Sequence, residues 1–204
     1  KTSEKITSLI NKLNYFNNEI SINPVSTDKV LDQANTMLSK LDQLSKTDEA
    51  FQLIRKGESR TREFKETLSL CLRTKQKEKY IETAVFKTIV AFLNTDGGDL
   101  FIGVNDDQEL SGLDNEISKF YKNNPDNFKK HFKNILKTRI GPQYYPLIKG
   151  AMLKINNSHI YQVKCKVSSS PCFLDEKDFY VRTDPSTDKL EGRPLAEYLQ
   201  RNFN

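Results

Sequence analysis

The chain has 204 residues, of which 36% are hydrophobic and 29% are charged, and its formal net charge is +5. This composition predicts a polar globular protein with one domain of ordinary size plus an appendage. No apolar run approaches the ~20 residues that cross a bilayer, and three cysteines without CxxC spacing and two histidines argue against a disulfide framework or a His-rich zinc site.

The cellular setting follows from the same observations. A sparse, odd number of cysteines fits a reducing compartment, and no signal peptide is visible at the N-terminus. We therefore expect a cytoplasmic protein, or a nuclear one in a eukaryotic source, with no membrane partner. Because residue 1 is not methionine, we expect the chain to be part of a longer protein.

Two amphipathic helices are predicted before the main domain. Apolar residues within 3–22 recur at spacings of three and four until Asn23-Pro24 ends the pattern. Residues 26–28 offer N-caps for a second helix, whose apolar stripe is Leu31, Ala34, Leu38, Leu41 and Leu44. We expect residues 1–47 to form an antiparallel helical hairpin that docks on the main domain, on an absent upstream domain or on another copy. The boundary falls near residues 45–48, and residues 48–204 form the main domain.

The main domain alternates between helical and strand patterns. Helices are predicted over residues 51–57, 78–93, from 114, 126–138 and 194–202, with Asp114 as an N-cap, and strands over residues 63–65, 100–104, from 109, 147–155, 159–167 and 179–183. This mixture predicts an α+β fold, with a mixed, mostly antiparallel sheet covered by helices and preceded by the N-terminal helical hairpin.

The clearest local pattern covers residues 85–113. A buried helix ends at Asn94-Thr95-Asp96-Gly97-Gly98, because glycine reaches a positive φ at little cost. An apolar strand follows, and residues 105–108 form an acidic hairpin turn that leads into a partner strand. The turn places carboxylates at the end of a rigid strand, where functional residues often lie.

Basic residues are concentrated in two segments, 55–79 and 122–139. Residues 1–50 carry a net charge of −1 and the remainder carries +6. Such clustering is typical of proteins that bind a phosphate backbone, although two solvated lysine-rich faces would look the same. The candidate nucleic-acid contacts are Arg60, Arg62, Lys65, Arg73, Lys75, Lys129, Lys130, Lys133, Lys137 and, through a turn with Ser186 and Thr187, Arg182. For Arg182 a structural turn is an equal alternative.

Three acidic positions could form a metal site. Glu58 and Glu63 flank the start of one predicted strand, and Asp106 follows another. If the strands are neighbours, the three carboxylates converge and could bind Mg²⁺ or Mn²⁺. Such an ion activates water for phosphodiester cleavage, and Lys65, on the same strand face as Glu63, would stabilise the phosphate. The alternative interpretation is a set of ordinary surface ion pairs.

Other functional residues are less clearly indicated. His131 lies in the second basic segment and would contact phosphate or solvent, and His159 beside a hairpin turn is expected to be structural. Tyr144 and Tyr145 could stack on bases, with packing in the core or at its rim as the alternative. The glycines match neither GxxxxGK[ST] nor GxGxxG, which argues against the corresponding nucleotide-binding enzymes.

These motifs resemble the AlbA-like domain of the Schlafen family. The resemblance covers about residues 51–203 and rests on Glu58-Ser59, Glu63-Phe64-Lys65, Ala91-Phe92, Asn94-Thr95, Gly97-Gly98, Leu100, Ile102-Gly103-Val104, Asp106 and Tyr180-Val181-Arg182 with Ser186-Thr187. It implies a helix-covered sheet and nucleic-acid binding, with RNA favoured and DNA as the alternative.

Some Schlafens are active nucleases, and resemblance to these members further implies a divalent-metal RNase that acts on tRNA and rRNA. Its three carboxylates would be Glu58, Glu63 and either Asn105 or Asp106, depending on the alignment. Those proteins pair two lobes into a clamp, so this single lobe would need a second copy. The hypotheses are therefore a metal-dependent endoribonuclease, a non-catalytic DNA- or RNA-binding module of a regulator, and a protein-interaction or oligomerisation module built on the N-terminal hairpin.

Overall fold

The computed structural model describes residues 7, 8, 10–12, 14, 15 and 27–203. The chain divides into two compact units, Lys1–Phe51 and Gln52–Asn204. The described residues before position 16 are helical, in line with the first predicted helix. The rest of that helix and the turn of the predicted hairpin lie outside the described residues, so the hairpin stays a prediction.

Helix α1 covers Thr27–Arg55 without interruption. It contains neither glycine nor proline, and it therefore continues through residues 45–48, where the sequence suggested a boundary, and absorbs the short helix predicted after residue 51. Gly57 ends it with φ +73°. Half-buried residues recur along it at spacings of three and four, although Leu31 and Leu38 of the predicted stripe are exposed.

The second unit is built on a four-stranded sheet with the order β1-β2-β4-β3. Strand β1 pairs in parallel with β2, and the two other pairings are antiparallel. Asn156 and Asn157 take positive φ angles in the turn that joins β3 to β4, which confirms the predicted hairpin. The strands are β1 (Arg62–Lys65), β2 (Gly98–Ile102), β3 (Ile148–Ile155) and β4 (Ser158–Cys165).

Helices cover one face of this sheet. They are α2 (Lys79–Asn94), α3 (Asp114–Phe120) and α4 (Pro125–Arg139), followed by a 3₁₀ turn at Pro142–Leu147. Apolar residues of these helices share one core with the β2 residues Leu100 and Ile102 and the β4 residues Tyr161 and Val163. A second hairpin, β5 (Phe179–Arg182) with β6 (Thr187–Leu190), packs on α2, and α5 (Gly192–Asn202) closes the chain. The α+β class and the mostly antiparallel sheet are confirmed.

Two local predictions are wrong. No strand forms at residues 109–110, because β1 and β4 already occupy both edges of β2 and leave no place for a third partner. The N-cap of α3 is Leu113 and not Asp114. Its carboxylate instead accepts a hydrogen bond from the His159 amide (2.9 Å) and lies 2.5 Å from His159 Nδ1, which gives His159 the expected structural role.

Candidate nucleic-acid interface

The segment from Glu58 to Lys65 forms a compact turn and strand. Ser59 and Arg62 exchange backbone hydrogen bonds of 2.9 and 3.1 Å across a tight turn. The turn brings the Glu58 carboxylate back to the strand, where Oε1 accepts a hydrogen bond from the Phe64 amide at 2.8 Å. Phe64 itself is fully buried. Glu58 therefore satisfies a backbone donor on the edge of β1 that faces away from β2.

Glu63 lies between two cations. Its Oε1 bonds to Lys65, on the same strand face as predicted, and its Oε2 accepts a 2.7 Å hydrogen bond from Arg182. Arg182 is only 2% exposed. Its guanidinium also donates to the carbonyls of Ser59 and Arg60, and it lies over the Phe92 ring at 5.1 Å. The pair thus joins the β5–β6 hairpin to the turn before β1.

The carboxylates of this arrangement already have other partners. Both Glu63 oxygens already bond to cationic side chains, and one Glu58 oxygen bonds to the backbone. Asp106 lies exposed in the turn after β2, where the Asn105 amide group bonds to Glu109. Across the described residues, no three His, Cys, Asp or Glu side chains form a group that could hold a metal. The site with Mg²⁺ or Mn²⁺ therefore stays a prediction from sequence.

Several predicted nucleic-acid contacts face inward. Arg182 is buried, which favours the structural turn over the phosphate contact. Arg62 donates to the carbonyls of Lys56 and Gly57 just after α1. Lys65 bonds to Glu63 and to the Phe64 carbonyl. The sequence showed the charge of these residues but not how far their side chains are buried.

Residues of the two basic segments meet around the end of α3, whereas Arg60 pairs with Asp96 beside α5. Lys77, from the loop before α2, lies 4.7 Å from the centre of the Tyr121 ring, which is 5.3 Å from the His131 ring on α4. Burial and the charge of Lys77 lower the pKa of His131. Lys119 of α3 donates to the carbonyl of Lys75. The two basic segments, about fifty residues apart in sequence, thus adjoin around the end of α3.

Helix α4 is amphipathic, with its apolar residues in the core and its lysines outward, as predicted. Phe128, Phe132, Ile135 and Leu136 are buried in the core. Lys130, Lys133 and Lys137 are exposed at a spacing of three and four, and within residues 27–203 none of the three forms an ion pair. Lys129 is paired with Asp126 at 2.6 Å. Arg73 and Lys75 are exposed in the loop before α2.

A comparison with protein families identifies the domain. The model of the family described as "Schlafen, AlbA_2" matches residues 58–191. The chain belongs to this family. Family membership supports a nucleic-acid-related role. Among solved structures, the DIP2311 protein from Corynebacterium diphtheriae is similar, with a TM-score of 0.47 and 14% identity. The match covers 71% of this chain and 28% of the other.

The Schlafen AlbA_2 domain has two structural polar residues that sequence reasoning missed. Glu116 is 1% exposed, and its carboxylate accepts hydrogen bonds of 2.9 Å from the amides of Leu68 and Ser69. Its position between apolar residues 113 and 117 of a predicted helix was the available signal. Asn94, which the sequence indicated only as part of the family motif, bonds to Cys172 and to the Tyr180 carbonyl. No helix in the described residues is long and apolar enough to span a membrane.

Proposed function

We propose that this Schlafen AlbA_2 domain binds nucleic acid, with RNA favoured over DNA, through the surface formed by the loop over residues 72–79 and the outer side of α4. We call this the basic surface. The observation that carries the proposal is the meeting of two basic segments around Lys77, Tyr121 and His131. Phosphates attract such a surface without regard to sequence, because binding releases condensed counterions.

The exposed lysines of α4 make the proposal quantitative. Lys130, Lys133 and Lys137 have no carboxylate partner among the described residues, so a phosphate would not have to displace one. Each phosphate contact by a lysine contributes about one unit to the slope of log affinity against log salt. A surface that uses all three should therefore show a steep salt dependence.

The test replaces these three lysines with alanine. Fluorescence anisotropy with a labelled structured RNA, measured between about 50 and 200 mM salt, should show an affinity loss of at least about tenfold and a slope that falls by about two to three. The matched control replaces Lys149, Lys154 and Lys177, which are also exposed but lie outside both basic segments. Equal losses in the two triple variants would reduce the effect to net charge and contradict the assigned surface.

The narrower function predicted from sequence is a divalent-metal-dependent endoribonuclease that acts on structured RNA such as tRNA. One observation supports it as a second candidate: both motif glutamates lie at the same short strand, because Glu63 belongs to β1 and the Glu58 carboxylate bonds to the Phe64 amide. The bonds that Glu63 makes to Lys65 and Arg182 weigh against metal binding. The non-catalytic module of a regulator is therefore the function that the geometry supports better.

Cleavage assays separate these two functions. Labelled tRNA is incubated with the protein and Mn²⁺, Mg²⁺ or EDTA, and Mn²⁺ binding is measured in parallel by calorimetry. Glutamine at position 58 keeps an oxygen that can accept from the Phe64 amide. Glu63→Gln is combined with Arg182→Met, because Arg182 would otherwise stay buried without its carboxylate, and circular dichroism checks that the variants are folded. Metal-dependent cleavage that disappears in these variants would establish the nuclease, whereas RNA binding without Mn²⁺ uptake or cleavage would leave the binding module.

A further inference from the structure

A groove of about 350 Å³ lies between α4 and the edge strand β3. Its volume is near the lower end of the ~300–1,000 Å³ that small-molecule sites have. The floor is apolar and aromatic, with Phe132, Tyr161 and Ile148. The lining also includes Tyr145 and two lysines, of which Lys129 is paired with Asp126 and Lys133 forms no ion pair among the described residues. An aromatic cavity with a cationic rim suits a ligand that has both a flat ring and a negative charge.

The Tyr161 hydroxyl is directed into this groove at Gly150. The residue is 5% exposed, and its ring is fixed edge-on by Phe128 and Phe132, with centroids 5.4 and 5.0 Å away. A Cβ at residue 150 would lie 2.0 Å from the hydroxyl oxygen, so only glycine leaves room for it. No described residue forms a hydrogen bond with this hydroxyl, and it is not one of the fully enclosed polar atoms without a partner, so a ligand in the groove can reach it.

The state of the hydroxyl and of the rim favours a polar, anionic partner. Burial raises the pKa of Tyr161 to about 12, so the hydroxyl keeps its proton and can donate or accept at neutral pH. The Lys133 ammonium lies 5.6 Å from the centre of the Tyr145 ring and forms no ion pair within the described part of the chain. A cation and an aromatic face are therefore presented together at the mouth of the groove.

We propose that the groove receives one nucleotide of a single-stranded nucleic acid, with its base beside Tyr145 and the Tyr161 hydroxyl and its phosphate on Lys133. Every base offers a flat face for stacking and polar edge groups for the hydroxyl. Lys130 and Lys137, on the same helix, continue the positive charge beyond the groove for the neighbouring phosphates. The inference rests on the proposed function and adds a preference for unpaired over duplex nucleic acid.

The experiment compares three probes in the full chain: a labelled oligouridine about ten nucleotides long, an RNA duplex of about twenty base pairs, and free uridine monophosphate. Tyr161→Phe removes only the hydroxyl and should weaken oligouridine binding about two- to tenfold, as for one hydrogen bond, without affecting binding of the duplex.

Lys133→Gln should weaken oligouridine binding more than the matched control Lys137→Gln does, while the two variants should weaken binding of the duplex equally. Circular dichroism checks that each variant is folded, and photo-crosslinking of thiouridine-labelled RNA should map to Tyr145 or Tyr161.

The outcomes separate the groove from the basic surface. If oligouridine binds Tyr161→Phe and the unmodified protein equally and crosslinks elsewhere, the groove proposal is overturned and the basic surface stands. If neither oligonucleotide binds, both proposals fail. If uridine monophosphate binds and loses affinity in Tyr161→Phe while no oligonucleotide binds, the groove takes free nucleotides, which overturns its assignment to single-stranded nucleic acid and the proposed function with it.

Discussion

Replacing Arg182 with alanine should destabilise the domain strongly. The side chain is 1% exposed and donates hydrogen bonds to Glu63 (2.7 Å), Thr187 (2.9 Å) and the Ser59 carbonyl (2.8 Å). Removing one partner of a buried ion pair costs about 3–5 kcal/mol, because the other charge stays buried without compensation. Lys65 still contacts Glu63, so we expect the lower part of this range, about 3–4 kcal/mol.

Equilibrium unfolding in urea, followed by circular dichroism, measures this loss. With a slope of about 2–3 kcal/mol per molar urea, the midpoint should fall by about 1–2 M. The matched control is Arg193→Ala. Arg193 is 90% exposed and pairs with Glu197 one helical turn away, so its loss should cost less than about 0.5 kcal/mol.

A double variant, Glu63→Gln with Arg182→Met, should recover part of the stability, since no buried charge is then left unpaired. The reasoning would be refuted if Arg182→Ala unfolded at nearly the same urea concentration as the unmodified protein. If that variant also lost RNA affinity, Arg182 would contact phosphate, which is one of the two interpretations that the sequence allows.

Three further predictions concern a turn glycine, a buried glutamate and a cysteine. Gly97→Ala should cost more than about 1 kcal/mol in urea unfolding, because φ is +71° and a Cβ would lie 2.6 Å from the Cys165 carbonyl oxygen. Glu116→Ala should cost about 2–4 kcal/mol, since two buried amides and a hydroxyl lose their acceptor, and Glu116→Gln should cost less; equal losses would contradict this role. Cys71 should react with iodoacetamide faster than the other two cysteines, because hydrogen bonds from Thr74 lower its pKa to about 7 whereas burial raises theirs. Its rate, followed by mass spectrometry, should rise with pH through about 7 and then level off as the thiolate becomes the main form.

Elements with strong periodicity were predictable from the sequence. The apolar stripe of α4, the glycine stop after α2 and the asparagine turn between β3 and β4 are local signals, and each appears where it was expected. The parallel pairing of β1 with β2 was not predicted, because it depends on residues about 37 positions apart. The strand expected at residues 109–110 failed for the same reason: local pattern cannot show that both edges of β2 are taken.

The candidate site divides along a similar line. Charge and residue type were visible in the sequence, and they correctly placed Glu63 and Lys65 on one strand face. The sequence did not show how far each of these side chains is buried. For Arg182 the sequence left a phosphate contact and a structural turn equally open, because its role in neutralising Glu63 depends on the packing of the β5–β6 hairpin against the turn before β1.

The hydrogen bond from the Phe64 amide to Glu58 has a consequence for assembly. An outermost strand normally offers free amides to which another chain can add a strand of its own. Here the Arg62 amide is bonded to Ser59 and the Phe64 amide to Glu58, so the border of the sheet at β1 is closed by the residues that precede it. A second copy of this domain therefore cannot pair a strand with β1 unless the hydrogen bond between Glu58 and the Phe64 amide is first broken. We expect any two-lobed clamp to be joined through another surface.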